Sequence, residues 1–305
     1  MNYFLNLADR ADEICRKVSM IDTKAGSIGR KQTPKGPWAL DKLPPFPVVA
    51  TRLLHRLSQE DVEISEVGKM IAADPVFATR LLQMANSPLF ALQKNVKTIS
   101  HAIMVLGLER VRAITLTRSL GDFVAPALKI HALRACWQHS LAGAILAEQL
   151  APACGIDPDF AYVAGLLRDI GRLALLVKYP GPYANVLAVS GENAYDLLAT
   201  ERELFDVDHC EAGAWLIRSM PFPTELCEVV AHHHDLVISG NFGIIHLVKI
   251  ADLLADALGL AVSTKITPQG FEEVLNELPE SVRSEFHPDP EELKAEIDSR
   301  IQSWE

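Results

Sequence analysis

Histidine and aspartate residues recur through the middle of this sequence, and their side chains can share one chemistry. His139 lies in WQHSLAGAILAEQLA, Asp169 in AGLLRDIG and Asp252 in HLVKIADLLADALG, while His209 opens HCEAGAWLI and His232–His234 form a triplet. Imidazole nitrogens and carboxylate oxygens bind Zn, Mn, Fe and similar divalent ions. Two such ions sharing a carboxylate polarise a phosphate and generate hydroxide. The residue types indicate a metal site, although any one of these histidines alone is more typical of a capping or hydrogen-bonded residue.

Signatures of other chemistries are missing from the chain. The sequence contains no G-x-G-x-x-G, no G-x-x-x-x-G-K-[ST], no G-x-S-x-G and no H-E-x-x-H. These patterns mark dinucleotide-binding folds, P-loops, serine hydrolases and zinc proteases. The sequence therefore gives no support to nucleotide-dependent or hydrolytic α/β enzymes.

Helical periodicity accounts for most of the elements that must position these side chains. Asp74-Pro75 is typical of a helix start, Thr98 or Ser100 of another, and Gly107 of a helix end. No run of alternating β-branched residues lies between turn signals, so the fold is predicted to be all-α. The spacing predicts helices over residues 3–20, 48–57, 64–73, 76–85, 101–106, 108–120, 130–150, 158–178, 194–203, 208–219, 223–234, 242–259, 269–277 and 290–303.

Composition narrows the class of protein further. The 305 residues are 49% hydrophobic and 22% charged, which is typical of a globular chain. No stretch reaches the ~18 uncharged apolar residues of a membrane span, and no secretory signal opens the chain. Five cysteines without a C-x-x-C pair indicate reduced thiols, so a cytoplasmic location is expected. The net charge of −10 argues against non-specific nucleic-acid binding, although residues 1–130 carry 18 basic and 12 acidic side chains.

The order of these segments resembles one known family. The segments LPPFPVVATRLLHRLS, IAADPVFATRLLQMANSPLF and TISHAIMVLGLERVRAITL are similar to the N-terminal region of the HDOD (HD-related output domain) family. The segments around His139, Asp169, His209, His233 and Asp252 are similar to the rest of that family, which lies within the HD superfamily of metal-dependent phosphohydrolases. The resemblance covers roughly residues 43–260.

The resemblance implies a multi-helix HD-like bundle preceded by a smaller N-terminal helical subdomain. We place the helical subdomain at residues 43–125 and the HD-like subdomain at 126–262. Residues 1–42 then form an N-terminal helix with a basic arm rich in Pro and Gly, and residues 263–305 an acidic helical extension.

The resemblance also implies two metal positions, and one residue departs from the pattern. The first position would use His139, a histidine at position 168, Asp169 and Asp252. The second position would use Asp169 with His209 and with His233, His234 or both. Residue 168 is Arg168, and a guanidinium cannot bind a cation. Arg168 is instead expected to replace the metal by hydrogen bonding to Asp169 and Asp252. We therefore expect either no cofactor or one divalent ion at the second position.

Three functional hypotheses remain from the sequence. The resemblance and Arg168 favour a non-catalytic signalling or regulatory module that binds a protein partner, with the N-terminal helix and arm available to a partner or a second protomer. A residual metal-dependent phosphohydrolase is the alternative, although DLVISGNFGIIH lacks the GYP-type segment of cyclic di-GMP phosphodiesterases. A nucleic-acid-binding regulator is the third, based on the helix pair at 64–86 and on Arg110, Arg112 and Arg118.

Overall fold

The chain folds into helices, and the computed structural model describes residues 37–43, 63–86, 95–193, 196–218, 222–235, 242–262 and 269–304. No strand occurs within these ranges, which confirms the all-α prediction. The helices predicted at 3–20 and 48–57 lie outside the described residues. None of the helices that the described residues form is both long and apolar enough to cross a membrane.

The helices follow one another with short connections. In chain order they are α1 (Ile64–Ala72), α2 (Pro75–Ala85), α3 (Ile99–Leu106), α4 (Leu108–Val124), α5 (His131–Leu150), α6 (Pro158–Leu167), α7 (Ile170–Lys178), α8 (Pro180–Asn193), α9 (Leu197–Phe205), α10 (His209–Ile217), α11 (Thr224–His232), α12 (Ile244–Ala257), α13 (Phe271–Leu275), α14 (Glu280–Arg283) and α15 (Pro290–Gln302).

Local sequence explains where several helices begin. Asp74 Oδ1 accepts hydrogen bonds from the backbone N–H groups of Val76 and Phe77, both at 3.0 Å, and Pro75 occupies the first helical position. Thr98 rather than Ser100 caps α3, because its hydroxyl accepts from the N–H of His101 at 3.2 Å. These contacts satisfy N–H groups that the first helical turn leaves without a partner.

Two apolar clusters are packed around these helices. The smaller one is formed by buried residues of α1–α4 and the larger one by buried residues from α4 to α15. Helix α4 contributes to both, since Val111 and Ile114 lie in the smaller cluster while Leu116 and Leu120 lie in the larger one. Trp304 packs against both clusters. The predicted domain boundaries at 42, 125 and 262 stay a prediction.

One predicted helix is interrupted in the structure. The single helix expected over 158–178 is two helices, α6 and α7, separated at Arg168 and Asp169. Asp169 has φ −98° and ψ 17°, which lies outside the helical region, and its carboxylate contacts the guanidinium groups of Arg168 and Arg172. Apolar periodicity missed the break because both helices are buried on nearly all sides.

Helix α8 was not expected from the sequence. Its start, Pro180-Gly181-Pro182, resembles a turn, yet proline at the first helical position needs no N–H partner. The short helix α14 was also not expected, and α4 continues four residues beyond the predicted end, to Val124.

Candidate functional site

The first group of predicted ligands converges where α5, the α6–α7 break and α12 meet. One ligand atom from each of His139, Asp169 and Asp252 lies within 4.8 Å of the others. His139 Nε2 is 2.8 Å from Asp252 Oδ1, and its Nδ1 is 3.0 Å from the carbonyl oxygen of Leu260. The structure therefore brings together residues that lie more than 100 positions apart in the sequence.

Arg168 lies inside this group and is fully buried, at 0% exposure. Its Nε and Nη2 are 2.9 and 2.8 Å from Asp252 Oδ1, and Nε is 3.4 Å from Asp169 Oδ2. Nη1 donates to the carbonyl oxygen of Gly165 at 2.6 Å, and Nη2 donates to that of His139 at 3.2 Å. All three guanidinium nitrogens thus have an acceptor.

Two glycines make room for this arrangement. A Cβ on Gly143 would stand 2.3 Å from Nη1 of Arg168 and 2.6 Å from its Cζ. A Cβ on Gly165 would stand 2.8 Å from the carbonyl oxygen of Gly143. Helices α5 and α6 can therefore approach each other closely, and the guanidinium fills the space beside residue 143.

The second group of predicted ligands meets on the other side of Asp169. His209 Nε2 and His233 Nε2 are each 3.5 Å from Asp169 Oδ1, and His234 Nε2 is 3.0 Å from His209 Nε2. His209 and His233 are buried, whereas His234 is exposed. The neighbouring His232 pairs with Asp235 at 2.7 Å instead. Whether either group binds a metal stays a prediction.

Arg172, which the sequence analysis did not single out, reaches the same place from α7. Its Nη2 is 3.3 Å from Asp169 Oδ1 and 3.3 Å from His209 Nε2, and the side chain is 4% exposed. Asp169 therefore lies between two buried guanidinium groups. The helical spacing from Asp169 to Arg172 was a usable signal, because residues three apart share a helix face.

These charges set the protonation states of the buried carboxylates. Burial alone would raise the pKa of Asp169, but the guanidinium groups of Arg172 and Arg168 outweigh it and hold the pKa well below its ordinary value. Burial would also raise the pKa of Asp252, but Arg168 and His139 outweigh this effect, so the pKa of Asp252 is well below its ordinary value as well. Both groups are therefore carboxylates at neutral pH.

Glu201 on α9 holds His209 in place, and nothing in the sequence pointed to it. Its fully buried carboxylate accepts from the backbone N–H of His209 at 2.8 Å and from His209 Nδ1 at 2.7 Å, and also from the hydroxyl of Tyr183. Burial raises the pKa of Glu201, but His209, Arg172 and the hydroxyl of Tyr183 together lower it more, so the net shift is downward. Because Nδ1 of His209 donates to Glu201, Nε2 is the nitrogen of this ring that faces Asp169.

Replacing Glu201 by glutamine is expected to lower the free energy of unfolding by about 1.5–3 kcal/mol. An amide cannot accept all three hydrogen bonds, and hydrogen bonds to a charged group contribute about this much. Urea denaturation followed by circular dichroism measures the change. Glu203→Gln, at an exposed position of the same helix, is the matched control and is expected to shift stability by less than about 0.5 kcal/mol. Equal effects of the two substitutions would show that Glu201 has no special role.

The all-helical fold and the order of these side chains define a protein of the HD superfamily type. The family model of the HDOD domain matches residues 43–236, which is more than half of the chain. The chain therefore belongs to the HDOD family, as the resemblance predicted.

Several known proteins are similar to this chain. A solved HDOD domain protein of unknown function from Geobacter sulfurreducens is 27% identical, with a TM-score of 0.63 over 87% of this chain and 91% of that one. A structure from Marinobacter aquaeolei VT8, named "Putative signal transduction protein", is 21% identical with a TM-score of 0.63, over 97% of this chain and 65% of that one. An uncharacterized protein of Treponema pallidum (strain Nichols) is 24% identical over 199 residues, which span 65% of this chain but 38% of that protein.

Proposed function

We propose that this chain is a non-catalytic signalling module that acts through a protein partner. In it, Arg168 takes the place of the ion at the first metal position. The observation that carries the proposal is the fully buried Arg168 guanidinium, which contacts Asp252, Asp169 and two carbonyl oxygens.

An ion at the first position does not fit beside this side chain. A divalent metal would have to lie about 2.0–2.2 Å from Asp252 Oδ1, and that oxygen already has Nε and Nη2 of Arg168 at 2.9 and 2.8 Å. Two unit charges 4 Å apart repel by about 4 kcal/mol at an effective dielectric constant of 20, so a divalent ion would be repelled by about 8 kcal/mol. Arg168 would therefore have to leave before an ion could bind.

Without an ion at the first position, the pair of metal ions that the superfamily uses for hydrolysis, the two-metal clamp, is incomplete. That clamp stabilises the attacking and leaving oxygens of a phosphoester together. Asp169, the carboxylate that both ions would share, is instead neutralised by Arg168 and Arg172. A protein that keeps the fold but not the clamp is suited to binding rather than to hydrolysis.

The signalling part of the proposal has separate support. Resemblance to the HDOD family implies a signalling output role, and the Marinobacter protein, which shares the fold, carries a signal-transduction name. The partner is proposed to be a protein. Helix 3–20 and the basic arm as far as residue 36, where a partner or second protomer was expected, lie outside the described residues.

The alternative of a residual metal-dependent phosphohydrolase also has one specific observation in its favour. Asp169 Oδ1 and His233 Nε2 are buried and lie 3.5 Å apart, and neither makes a hydrogen bond of ordinary geometry within the described part of the chain, although Arg172 lies 3.3 Å from Asp169 Oδ1. Such atoms are suited to an ion at the second position. A single ion could polarise a phosphate, but it would lack the second ion of the superfamily mechanism.

The nucleic-acid hypothesis loses much of its motivation in the described residues. Arg110 pairs with Glu148 and Asp159, Arg112 pairs with Glu109 at 2.8 Å, and Arg118 pairs with Asp122 at 3.2 Å. Each guanidinium that suggested phosphate binding is thus already paired with a carboxylate. A phosphate backbone would have to compete with these pairs.

Metal content and hydrolysis together test the proposal. The chain as it stands is expected to contain at most one divalent ion and to leave bis(p-nitrophenyl) phosphate uncleaved in Mn²⁺ or Fe²⁺. Arg168→His would supply the missing ligand, and the space that the Arg168 guanidinium fills would become available to an ion. The variant is therefore expected to bind one more ion per chain, as measured by inductively coupled plasma mass spectrometry.

Arg134→His is the control, since it adds a histidine at an exposed position of α5 and is expected to leave the metal content unchanged. Two ions in the unmodified chain, or phosphodiester cleavage that Asp169→Ala abolishes, would overturn the proposed function. An Arg168→His variant that folds but gains no ion would show that Arg168 is not what excludes the first ion.

A further inference from the structure

Cys210 stands beside the second metal position, although the superfamily pattern gives this residue no role. It follows His209 at the start of α10 and is a buried free thiol. One ligand atom from each of His209, Cys210, His233 and His234 lies within 4.8 Å of those of the other three. These four residues form what we call the thiol–imidazole cluster.

The histidines of the cluster are prepared to act as ligands. Nδ1 of His209 is held by Glu201 at 2.7 Å, and Nδ1 of His233 is 3.1 Å from the carbonyl oxygen of Val230. A carbonyl only accepts, so Nδ1 of His233 donates to it, and in the neutral imidazole that binds a metal Nε2 is the nitrogen with the lone pair. Metal-binding histidines are oriented in this way by a carboxylate or carbonyl on their other nitrogen.

One of these nitrogens is both buried and unpartnered. His233 is 2% exposed, and its Nε2 has no hydrogen-bond partner among the described residues. Nε2 of His209 and Nε2 of His234 face each other at 3.0 Å, and Nη2 of Arg172 lies 3.3 Å from the same His209 nitrogen. This guanidinium therefore has to turn away from His209 when an ion binds there. Zn–N bonds of about 2.0–2.1 Å place two nitrogens of a tetrahedral site about 3.3 Å apart, so a small outward shift would accommodate an ion between them.

Cys210 suits an ion here better than Asp169 does. Asp169 is flanked by Arg168 at 3.4 Å and by Arg172 at 3.3 Å, which already neutralise its charge. A thiolate is also a softer ligand than a carboxylate, and soft ligands favour zinc over manganese or magnesium.

We propose that His209, Cys210, His233 and His234 bind one zinc ion in a tetrahedral site with three nitrogens and one sulfur. On binding, the thiol of Cys210 loses its proton to solvent and its sulfur bonds to zinc. The exposed side chain of His234 provides the path by which the ion enters. Four protein ligands leave no open position for water, so the ion is structural. It joins the start of α10 to the residues that follow α11.

The inference rests on the proposed function, because it places one non-catalytic ion where the superfamily would use two catalytic ones. It differs from the superfamily pattern in its fourth ligand, which is Cys210 rather than Asp169. A probe that reports on sulfur ligation therefore distinguishes the two assignments.

Cobalt(II) is that probe. The full chain, produced without a polyhistidine tag, is stripped with a chelator, dialysed and titrated with CoCl₂. We expect saturation at one Co²⁺ per chain, with a thiolate-to-cobalt charge-transfer band in the near ultraviolet and the intense visible bands of a tetrahedral ion. Zinc is expected to displace cobalt and abolish both sets of bands.

Two variants and a control assign the ligands. Cys210→Ser is expected to remove the charge-transfer band and to weaken zinc binding by more than about 100-fold, beyond the 10–100-fold cost of losing an outer-shell partner. Cys227→Ser, at a half-buried thiol of α11, is expected to leave the spectrum unchanged. His234→Ala removes an exposed side chain, so it is expected to fold even if Cys210→Ser does not. His234→Ala should abolish the rise in melting temperature that zinc causes in the unmodified chain.

The outcomes separate this inference from the proposed function. No cobalt binding, binding without a charge-transfer band, or a band that survives Cys210→Ser would each overturn the zinc site and leave the signalling proposal intact. Two ions per chain together with phosphodiester cleavage would instead overturn the proposed function. If Cys210→Ser does not fold, a His234→Ala variant that keeps the full zinc effect would overturn the zinc site.

Discussion

Arg168→Met is expected to lower the free energy of unfolding by about 3–5 kcal/mol. Methionine keeps much of the side-chain volume but removes the charge, so Asp252 would lose its guanidinium partner at 2.8–2.9 Å and keep only His139, and Asp169 would lose one of its two guanidinium partners. Removing one member of a buried ion pair leaves an uncompensated charge, and that costs about this much. Urea denaturation in the presence of a chelator, followed by circular dichroism, measures the change without a contribution from bound metal.

The matched control is Arg134→Met on α5, where an exposed guanidinium makes one hydrogen bond, to the carbonyl oxygen of Leu128. It is expected to change stability by less than about 0.5 kcal/mol. A loss below about 1 kcal/mol for Arg168→Met would contradict the view that Arg168 compensates the two carboxylates.

The pH dependence gives a second readout of the same substitution. In the unmodified chain the pKa values of Asp169 and Asp252 lie well below the ordinary value. Their stabilising contribution is therefore present at neutral pH and lost only as the pH falls through those depressed pKa values. In Arg168→Met, His139 alone would oppose the rise in pKa that burial causes at Asp252. The carboxylate would then take up a proton at a higher pH than in the unmodified chain, and protonation would relieve the cost. The difference in stability between the two proteins is expected to shrink from about pH 7 to about pH 4.

Gly171→Ala is expected to have the next largest effect, a loss of about 3 kcal/mol. A Cβ at residue 171 would stand 2.0 Å from the carbonyl oxygen of His209 and 2.4 Å from the backbone nitrogen of Gly213. Both are backbone atoms and cannot rotate away, so α7 and α10 would have to separate. The cost lies at the upper end of the ~1–3 kcal/mol that overpacking a core requires. Denaturation in urea measures it.

Gly181→Ala is the control for this substitution, because a Cβ there would meet no atom within 4 Å. It is expected to be neutral or to stabilise the protein by up to about 1 kcal/mol, since alanine restricts the unfolded chain. Because α10 carries His209 and Cys210, Gly171→Ala is also expected to weaken the binding of cobalt. A Gly171→Ala variant as stable as the unmodified chain would show that α7 and α10 can separate without cost.

The sequence predicted the fold class and much of the candidate site. Helical spacing identified most of the helices, and the caps at Asp74 and Thr98 follow from contacts within three residues. The order of histidines and aspartates, compared with a known family, identified the residues that the structure brings together. The departure at Arg168 was visible because it interrupts an adjacent His-Asp pair.

The sequence did not predict the residues that surround this site. Glu201 and Cys210 have no motif of their own, and Arg172 is one of several arginines in the chain. Their importance depends on which helices pack together and on how those helices are rotated. A helical pattern predicts which face of a helix is apolar. It does not predict which polar side chain will form a hydrogen bond with a residue on another helix.

What the sequence by itself determined is therefore local and compositional: the all-helical class, the main helix starts and the family. The tertiary structure decided the break at Arg168 and Asp169, the burial of that guanidinium, and the different exposures of the adjacent His233 and His234. The physical reason is the range of the interactions. A cap involves neighbours along the chain, whereas Arg168 and Asp252 lie 84 residues apart and meet only because α5, α6 and α12 pack closely enough to exclude water.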